Sequence, residues 1–135
     1  MYILYNTLLF IAAILAFPYY AAKMISPGKY RKSIGQRFGH VSDKIFEEMK
    51  GSPRIWIHAV SVGEVTAAAP VVALLRTYFP EACIVFSTST ETGQEMAHRI
   101  VPTATSFIYY PLDFLWVVRK IITRVNPDIF ILTET

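Results

Sequence analysis

The sequence predicts an α/β fold: a Rossmann-like parallel sheet with flanking helices, plus an N-terminal membrane-anchor helix. From residue 51 onward, short apolar segments alternate with amphipathic ones, and only a few residues connect them. The first 22 residues carry no charge. A length of 135 residues suffices for one domain with a core. We therefore divide the chain into an anchor at 1–22, a basic segment with a short helix at 23–50, and an α/β domain at 51–135.

The apolar segment at 2–22 is long enough to cross a membrane. It contains only two strongly polar side chains, Asn6 and Thr7, and a helix of this length spans a hydrocarbon core of about 30 Å. The segment accounts for the high hydrophobic share of the chain, 53%. Two other interpretations stay open. One is a helix lying in the membrane interface. The other is a signal peptide, which the missing positive charge before the run and the missing cleavage site after it disfavour.

The segment after the apolar run is basic. Five cations precede the first acidic residue, Asp43: Lys23, Lys29, Arg31, Lys32 and Arg37. Such an excess marks the cytoplasmic side of a membrane segment, so we expect the α/β domain on that face, near anionic headgroups. The net charge of +3 is too small and too localised to indicate nucleic-acid binding. Cys83 lies unpaired in an apolar run, which indicates a reducing compartment.

Periodicity places the elements of the α/β domain. Apolar residues three and four apart predict helices, and short apolar runs between turn residues predict strands. The predicted elements are a helix at 41–50, a strand at 54–60, a helix at 64–79, a strand at 82–87, a helix at 91–100, a strand at 105–109, a helix at 113–125 and a strand at 129–133. The sequence stops as the fourth strand ends, so we expect a longer protein with a second half.

Polar residues follow each predicted strand, at the edge where open parallel sheets bind ligands. Ser61 and Glu64 follow the first strand, and their spacing fits a capping box and a ligand site equally well. The second strand runs into five hydroxyl residues at 87–92, more than one N-cap requires, which favours a polar ligand. Asp113, after the third strand, is interpreted first as a helix N-cap, and Glu134 follows the fourth.

Several common α/β chemistries lack their signatures here. The chain has no Walker lysine motif, no G-x-G-x-x-G and no G-x-S-x-G, which argues against a nucleoside triphosphatase, a dinucleotide-binding protein and an α/β-hydrolase. His58 lies in an apolar strand and His98 on a helix, and neither has a second metal ligand at suitable spacing. Both histidines are therefore interpreted as structural, and no metal site is predicted.

Five segments occur together in a specific order. They are YRKSIGQRFG at 30–39, HAVSVGE at 58–64, STSTETG at 87–93, YPLD at 110–113 and LTET at 132–135. In this order they resemble the N-terminal half of 3-deoxy-D-manno-octulosonic acid (Kdo) transferases. The resemblance implies a two-domain GT-B glycosyltransferase that moves Kdo from CMP-Kdo to a lipid A precursor at the cytoplasmic face of the inner membrane, without a metal or other cofactor. This chain is then the acceptor-binding half, and the missing half binds most of CMP-Kdo.

The resemblance also assigns a catalytic position. The family places a glutamate, its candidate general base, in the loop that matches Gly35 to Gly39, and the residue here is Gln36. An amide has no useful basicity at neutral pH, so a proton from the acceptor hydroxyl needs another group. Either Gln36 positions the acceptor and a second carboxylate, first of all Glu64, acts as the base, or this version of the enzyme is slow or altered.

The remaining roles concern binding. The carboxylate or phosphate of the donor is expected to lie against Ser61, Gly63 and Glu64. The phosphates of the lipid, or headgroups in general, are expected to contact the cations Arg31, Lys32 and Arg37. The predicted binding residues are Arg31, Lys32, Gly35, Arg37, Ser61, Gly63, Ser89, Thr90, Thr92, Gly93, Asp113 and Glu134. Two alternatives stay open: a non-catalytic membrane-anchored module that binds anionic lipid or a polar ligand, and a GT-B transferase with another donor.

Overall fold

A computed structural model describes residues 2–25 and 28–134, apart from the side chains at positions 24, 29 and 30. The chain divides into two compact units, Met1–Ile34 and Gly35–Thr135. The first unit contains one long helix, α1 (Tyr2–Ile25), with Pro18 inside it and two turns before its end. Over Tyr2–Lys23 this helix has the length and composition needed to cross a membrane, a test that signal sequences also pass.

The second helix, α2 (Lys29–Arg37), was not predicted. Residues 35–39, expected to form a loop, are instead its last turn and its C-cap. The Gly39 N–H donates to the Gln36 carbonyl at 2.9 Å, and the His40 N–H donates to the Gly35 carbonyl at 2.9 Å. This pair of bonds is a Schellman motif, and it requires a left-handed residue at Gly39, whose φ is +87°.

The second unit is an α/β sandwich with a parallel sheet. Its elements are α3 (Asp43–Glu48), β1 (Arg54–Ala59), α4 (Val62–Tyr78), β2 (Cys83–Thr88), α5 (Glu91–Ile100), β3 (Ser106–Tyr109), α6 (Leu115–Val125) and β4 (Ile129–Thr133). The strands lie in the order β3-β2-β1-β4, and every neighbouring pair is parallel. Every element predicted from residue 41 onward is present, with bounds within two residues. The predicted Rossmann-like fold is confirmed.

Both faces of the sheet are covered at β1 and β2, whereas β4 is largely exposed. On one face, Ile55 and Ile57 of β1 pack with residues of α4 and α5, such as Val65 and Ala97. On the other face, Trp56 packs in a cluster with residues of α6 and the α3 region. A sheet buried on both faces explains why its central strands are continuously apolar rather than alternating.

Two residues at the start of the sheet, Gly51 and Cys83, have unusual environments. Gly51 lies just before β1 with φ +118°, and the neighbouring Ser52 N–H donates to the Glu81 carbonyl at 2.9 Å. Cys83 begins β2 and is fully buried, and this burial raises the pKa of its thiol.

Candidate active site at the carboxyl edge of the sheet

The segments that follow β1, β2 and β3 are bonded to one another at the carboxyl edge of the sheet. The N–H of Ser89, after β2, donates to the carbonyl of Val60, after β1, at 3.4 Å. The N–H of Tyr110, after β3, donates to the Thr88 carbonyl at 2.9 Å. The sheet order thus gathers polar segments that are 20 to 50 residues apart in the sequence.

Helix α4 begins at this edge without the capping box that the sequence suggested. The side chain of Ser61, its N-cap residue, makes no capping hydrogen bond. The Glu64 carboxylate accepts a hydrogen bond from the Val60 N–H, one residue before the position that a capping box uses. The first intrahelical bond runs from the Val65 N–H to the Ser61 carbonyl at 2.9 Å. The amides of the first turn therefore lack an internal partner and can bind an anion.

Helix α5 has the N-cap that its sequence predicts. The Thr90 hydroxyl accepts from the Gly93 N–H at 3.0 Å. A Cβ at Gly93 would lie only 2.8 Å from that hydroxyl oxygen, which explains the glycine. The Thr88 hydroxyl donates to the buried Gln94 side chain at 2.7 Å. Much of the hydroxyl surplus is thus structural, while Ser89 is half-buried and Thr92 exposed at the edge.

The Gln36 side chain makes a hydrogen bond that joins two elements of the fold. Its side chain is 5% exposed, and its Oε1 accepts from the Tyr109 N–H at 3.0 Å. The end of α2 is thereby attached to the end of β3. The side-chain oxygen at position 36 serves the fold here.

Arg37 connects three segments of the edge. Its Nη2 donates to the Ser89 carbonyl and lies 3.8 Å from Oε1 of Glu91. The guanidinium lies 5.1 Å from the centre of the Tyr109 ring. The Arg37 carbonyl accepts from the Leu112 N–H at 2.8 Å. A half-buried cation therefore stands where the segments after β2 and β3 meet.

His58, interpreted from the sequence as structural, is buried at this edge. It is 3% exposed, and its Nδ1 lies 3.0 Å from the Ser87 hydroxyl and 3.1 Å from the Ser87 carbonyl. Its Nε2 lies 3.4 Å from the Ser89 hydroxyl, and its ring stacks on Tyr110 at 4.0 Å between ring centres. The signal available in the sequence was its place, two residues before the end of a strand, just where the polar edge begins. His58 Nε2 is thus within hydrogen-bonding distance of the Ser89 hydroxyl at the edge.

The environment of His58 predicts a pH effect on stability. Burial lowers its pKa below the ordinary value of 6.5, against the opposing effects of the Ser87 carbonyl and the Glu64 charge. Below pH 6.5 the unfolded chain then binds a proton that the folded chain does not. We expect the free energy of unfolding to fall as the pH drops below this value, by at most about 1.4 kcal/mol per pH unit.

Denaturant unfolding in detergent between pH 5 and pH 8 measures this dependence. The matched variant is His58→Gln, which keeps His40 and His98. The free energy of unfolding of this variant should change less with pH than that of the wild type, by the contribution of one proton. Equal slopes in the two proteins would contradict the assigned pKa direction.

The other predicted residues lie in different places. Asp113 is exposed and is not the N-cap of α6, because the helix starts at Leu115 and its N-cap is Phe114. The expected N-cap role is therefore wrong. Glu134 is exposed after β4. Arg31 and Lys32 are exposed on α2 in the first unit. Within residues 2–25 and 28–134, no group of three histidine, cysteine or acidic side chains could hold a metal ion.

Comparison with known proteins gives the family. Residues 32–135 match the family model described as 3-deoxy-D-manno-octulosonic-acid transferase (kdotransferase). The chain is 32% identical over 131 residues to the 3-deoxy-D-manno-octulosonic acid transferase of Haemophilus influenzae, covering 97% of this chain and 30% of that protein. It is 35% identical over 133 residues to the protein of the same name from Chlamydia trachomatis serovar D, with the same coverages.

A more distant relative is the probable mitochondrial 3-deoxy-D-manno-octulosonic acid transferase of Arabidopsis thaliana, 30% identical over 99 residues, which are 73% of this chain and 21% of that protein. No solved structure matches the chain. The chain spans about 30% of the length of the two bacterial relatives. With a parallel α/β sheet and a family match over 32–135, this chain belongs to the Kdo transferase family and contains its N-terminal GT-B domain.

Proposed function

We propose that this chain is the acceptor-binding half of a glycosyltransferase that transfers Kdo from CMP-Kdo to a lipid A precursor at the cytoplasmic face of the inner membrane. One observation carries the proposal. The segments that resemble the family are hydrogen-bonded to one another at the carboxyl edge: Arg37 with Ser89 and Leu112, Thr90 with Val60, and Thr133 with His58. Family membership over 32–135 supports it.

The edge suits anionic substrates. The first-turn amides of α4 and the guanidinium of Arg37 both present N–H donors, and helix N-termini favour negative charge. The acceptor and the donor of this reaction both carry phosphate, and the donor also carries a carboxylate. We assign the recognition of these groups to Arg37 and to the start of α4 at Ser61 and Gly63. Gly63 is exposed, and a Cβ there would have its nearest neighbour, Ser61 Oγ, at 4.0 Å, so a substrate group can approach the backbone.

We assign the general base to Glu64. Gln36 cannot take a proton, and its oxygen is already bonded to the Tyr109 amide. Glu64 is half-buried at the edge, and its Oε2 holds the Val60 amide. A carboxylate has room for about four hydrogen bonds, so this contact does not use up its capacity. In the proposed step, Glu64 takes the proton of the acceptor hydroxyl while Kdo leaves CMP.

The direct test is sugar transfer by the full-length gene product. It is incubated with CMP-Kdo and a lipid A precursor in detergent, and the product is identified by mass spectrometry. The transferase of Haemophilus influenzae serves as the positive control in the same reaction. Transfer is expected, and its absence while the control is active would contradict the proposal.

The second candidate function is a non-catalytic membrane-anchored module for an anionic lipid or a polar ligand. The buried, bonded amide of Gln36 favours it, because a module that only binds needs no base at this position. In such a module, the same edge would bind its ligand without a reaction. The two functions differ in what a carboxylate at position 36 would do.

The variant Gln36→Glu separates the two functions. Glutamate can still accept from the Tyr109 amide, and it adds a basic oxygen next to the edge. Since general-base catalysis contributes about 10²- to 10⁴-fold and Glu64 supplies part of it, we expect a gain in transfer rate of roughly 10-fold or more. Gln36→Met, which removes the acceptor oxygen, should give no gain. Absence of transfer in both the wild type and Gln36→Glu would favour the binding module.

A further inference from the structure

Helix α6 has an exposed face that the carboxyl edge does not use. We call it the α6 surface; it consists of Phe38, Phe114, Leu115, Trp116, Arg119 and Lys120. Leu115 is 67% exposed and Trp116 is 59% exposed. The opposite face of α6, with Val117, Ile121 and Val125, already supplies the core. Leu115 and Trp116 therefore contribute little to the packing of this unit.

The aromatic rings of this surface form a row. Phe38 and Phe114 stack with ring centres 6.3 Å apart and planes 18° apart. Phe114 and Trp116 follow at 6.4 Å and 24°. Leu115, next to them, lines a shallow groove with Trp116 and the cations of the following turn. A contiguous exposed patch of this kind marks a contact site with a protein or a membrane.

The charge of the α6 surface favours a membrane over a protein as its partner. Arg119 and Lys120 lie one turn after Trp116, and α6 contains no acidic residue. In the part of the chain that the structure describes, no carboxylate forms an ion pair with either of them. Arg124 is different, because it pairs with Asp43 at 2.8 Å. Tryptophan and leucine beside unpaired cations suit the headgroup level of a bilayer, with the rings at the interface and the cations on phosphates.

We propose that the α6 surface is a second membrane-contact site, which binds bilayers that contain anionic phospholipid. Leu115 and Trp116 enter the headgroup region, and Arg119 and Lys120 contact lipid phosphates. Two apolar side chains and two cations form a weak site on their own. Because α1 belongs to the same chain, binding of the α6 surface to a bilayer that holds α1 is effectively intramolecular, and a weak site suffices. This inference does not depend on transferase activity.

Fluorescence of the two tryptophans tests the proposal on the full chain. The chain is reconstituted in vesicles of phosphatidylcholine and phosphatidylglycerol, with or without bromine on the acyl chains, which quenches tryptophan at the membrane. Trp116 is the reporter, and Trp56, 3% exposed in the core, is the internal reference. We expect brominated vesicles to remove most of the Trp116 emission, and the Trp116→Phe variant, which retains Trp56 alone, to lose this quenching.

Variants with changed charge provide a second test of the proposal. In the double variant Arg119→Glu with Lys120→Glu, and in vesicles of phosphatidylcholine alone, the quenching of Trp116 should be lost. The matched control Arg99→Glu, on an exposed position of α5, should keep it. Circular dichroism checks that each variant is folded.

Two outcomes would overturn the proposal. In the first, the chain is bound to vesicles, yet the Trp116 emission is unaffected by brominated lipid and is still quenched by iodide in solution. In the second, the Trp116 emission shifts to the blue as the protein-to-lipid ratio rises, again without quenching by brominated lipid. That result would assign the α6 surface to contact between copies of the chain.

Discussion

Replacing Arg37 by alanine is expected to lower the rate of Kdo transfer by the full-length gene product roughly 100-fold. Arg37 bonds the Ser89 carbonyl, lies beside Glu91 and covers the Tyr109 ring, so it fixes the end of α2 against two strand ends. A hydrogen bond to a charged group contributes about 1.5–3 kcal/mol, and each 1.4 kcal/mol is about tenfold in rate. The removed guanidinium is also the proposed phosphate ligand of the edge.

Two further variants separate charge from geometry. Arg37→Lys keeps the charge but lacks the planar fork of donors, so we expect it to recover only part of the rate. Arg99→Ala removes an exposed arginine of α5 and should leave the rate unchanged. Transfer rates are measured at saturating CMP-Kdo with a variable lipid acceptor, which separates acceptor binding from turnover. Equal rates for Arg37→Ala and Arg99→Ala would refute the assigned role.

The variant Gly51→Ala should have the largest effect on stability. A Cβ at this position would lie 2.2 Å from the Glu81 carbonyl oxygen, a backbone atom, and the φ of +118° is one that residues with a side chain rarely adopt. The backbone before β1 would have to move away from the turn that precedes β2. We expect the free energy of unfolding to fall by about 3 kcal/mol or more. Denaturant unfolding in detergent, followed by circular dichroism, measures the change.

Gly63→Ala is the matched control for Gly51→Ala. Gly63 lies in the first turn of α4, and the nearest heavy atom to a Cβ there is Ser61 Oγ at 4.0 Å. Alanine is favoured over glycine in helices by up to about 1 kcal/mol, so the stability should be unchanged or slightly higher. A similar loss in both variants would show that the close approach at Gly51 is not what determines the effect.

The helices of the α/β unit could be predicted because apolar residues recur three and four positions apart, and the strands because they are short apolar runs between turn residues. Helix α2 could not, since KYRKSIGQR contains a single aliphatic residue, Ile34, and a glycine that suggests a loop. What ends this helix is a Schellman motif, which needs only Gly39 in the left-handed region. The start of α6 was placed two residues early because Asp113 is a better N-cap by composition than Phe114.

The edge itself was predicted, but its individual bonds were not. Sheet topology alone places the residues after parallel strands side by side, so Ser61 and Ser89 could be assigned to one site. The bond from Tyr109 to Gln36 joins residues 73 apart, and it depends on how α2 meets β3. Glu64 accepts from the Val60 amide and not from the Ser61 amide that a capping box uses, and this choice depends on side-chain geometry within one turn. Periodicity carries no information on either.

The buried thiol of Cys83 has a practical consequence. It is the only cysteine in the sequence, it is fully buried, and its raised pKa keeps it protonated at neutral pH, so thiol reagents should react with it slowly. The native chain can therefore accept one engineered surface cysteine without prior removal of its own. A spin label or fluorophore at Leu115 or at Thr92 would then measure, in a real bilayer, how far α6 and the carboxyl edge lie from the lipid.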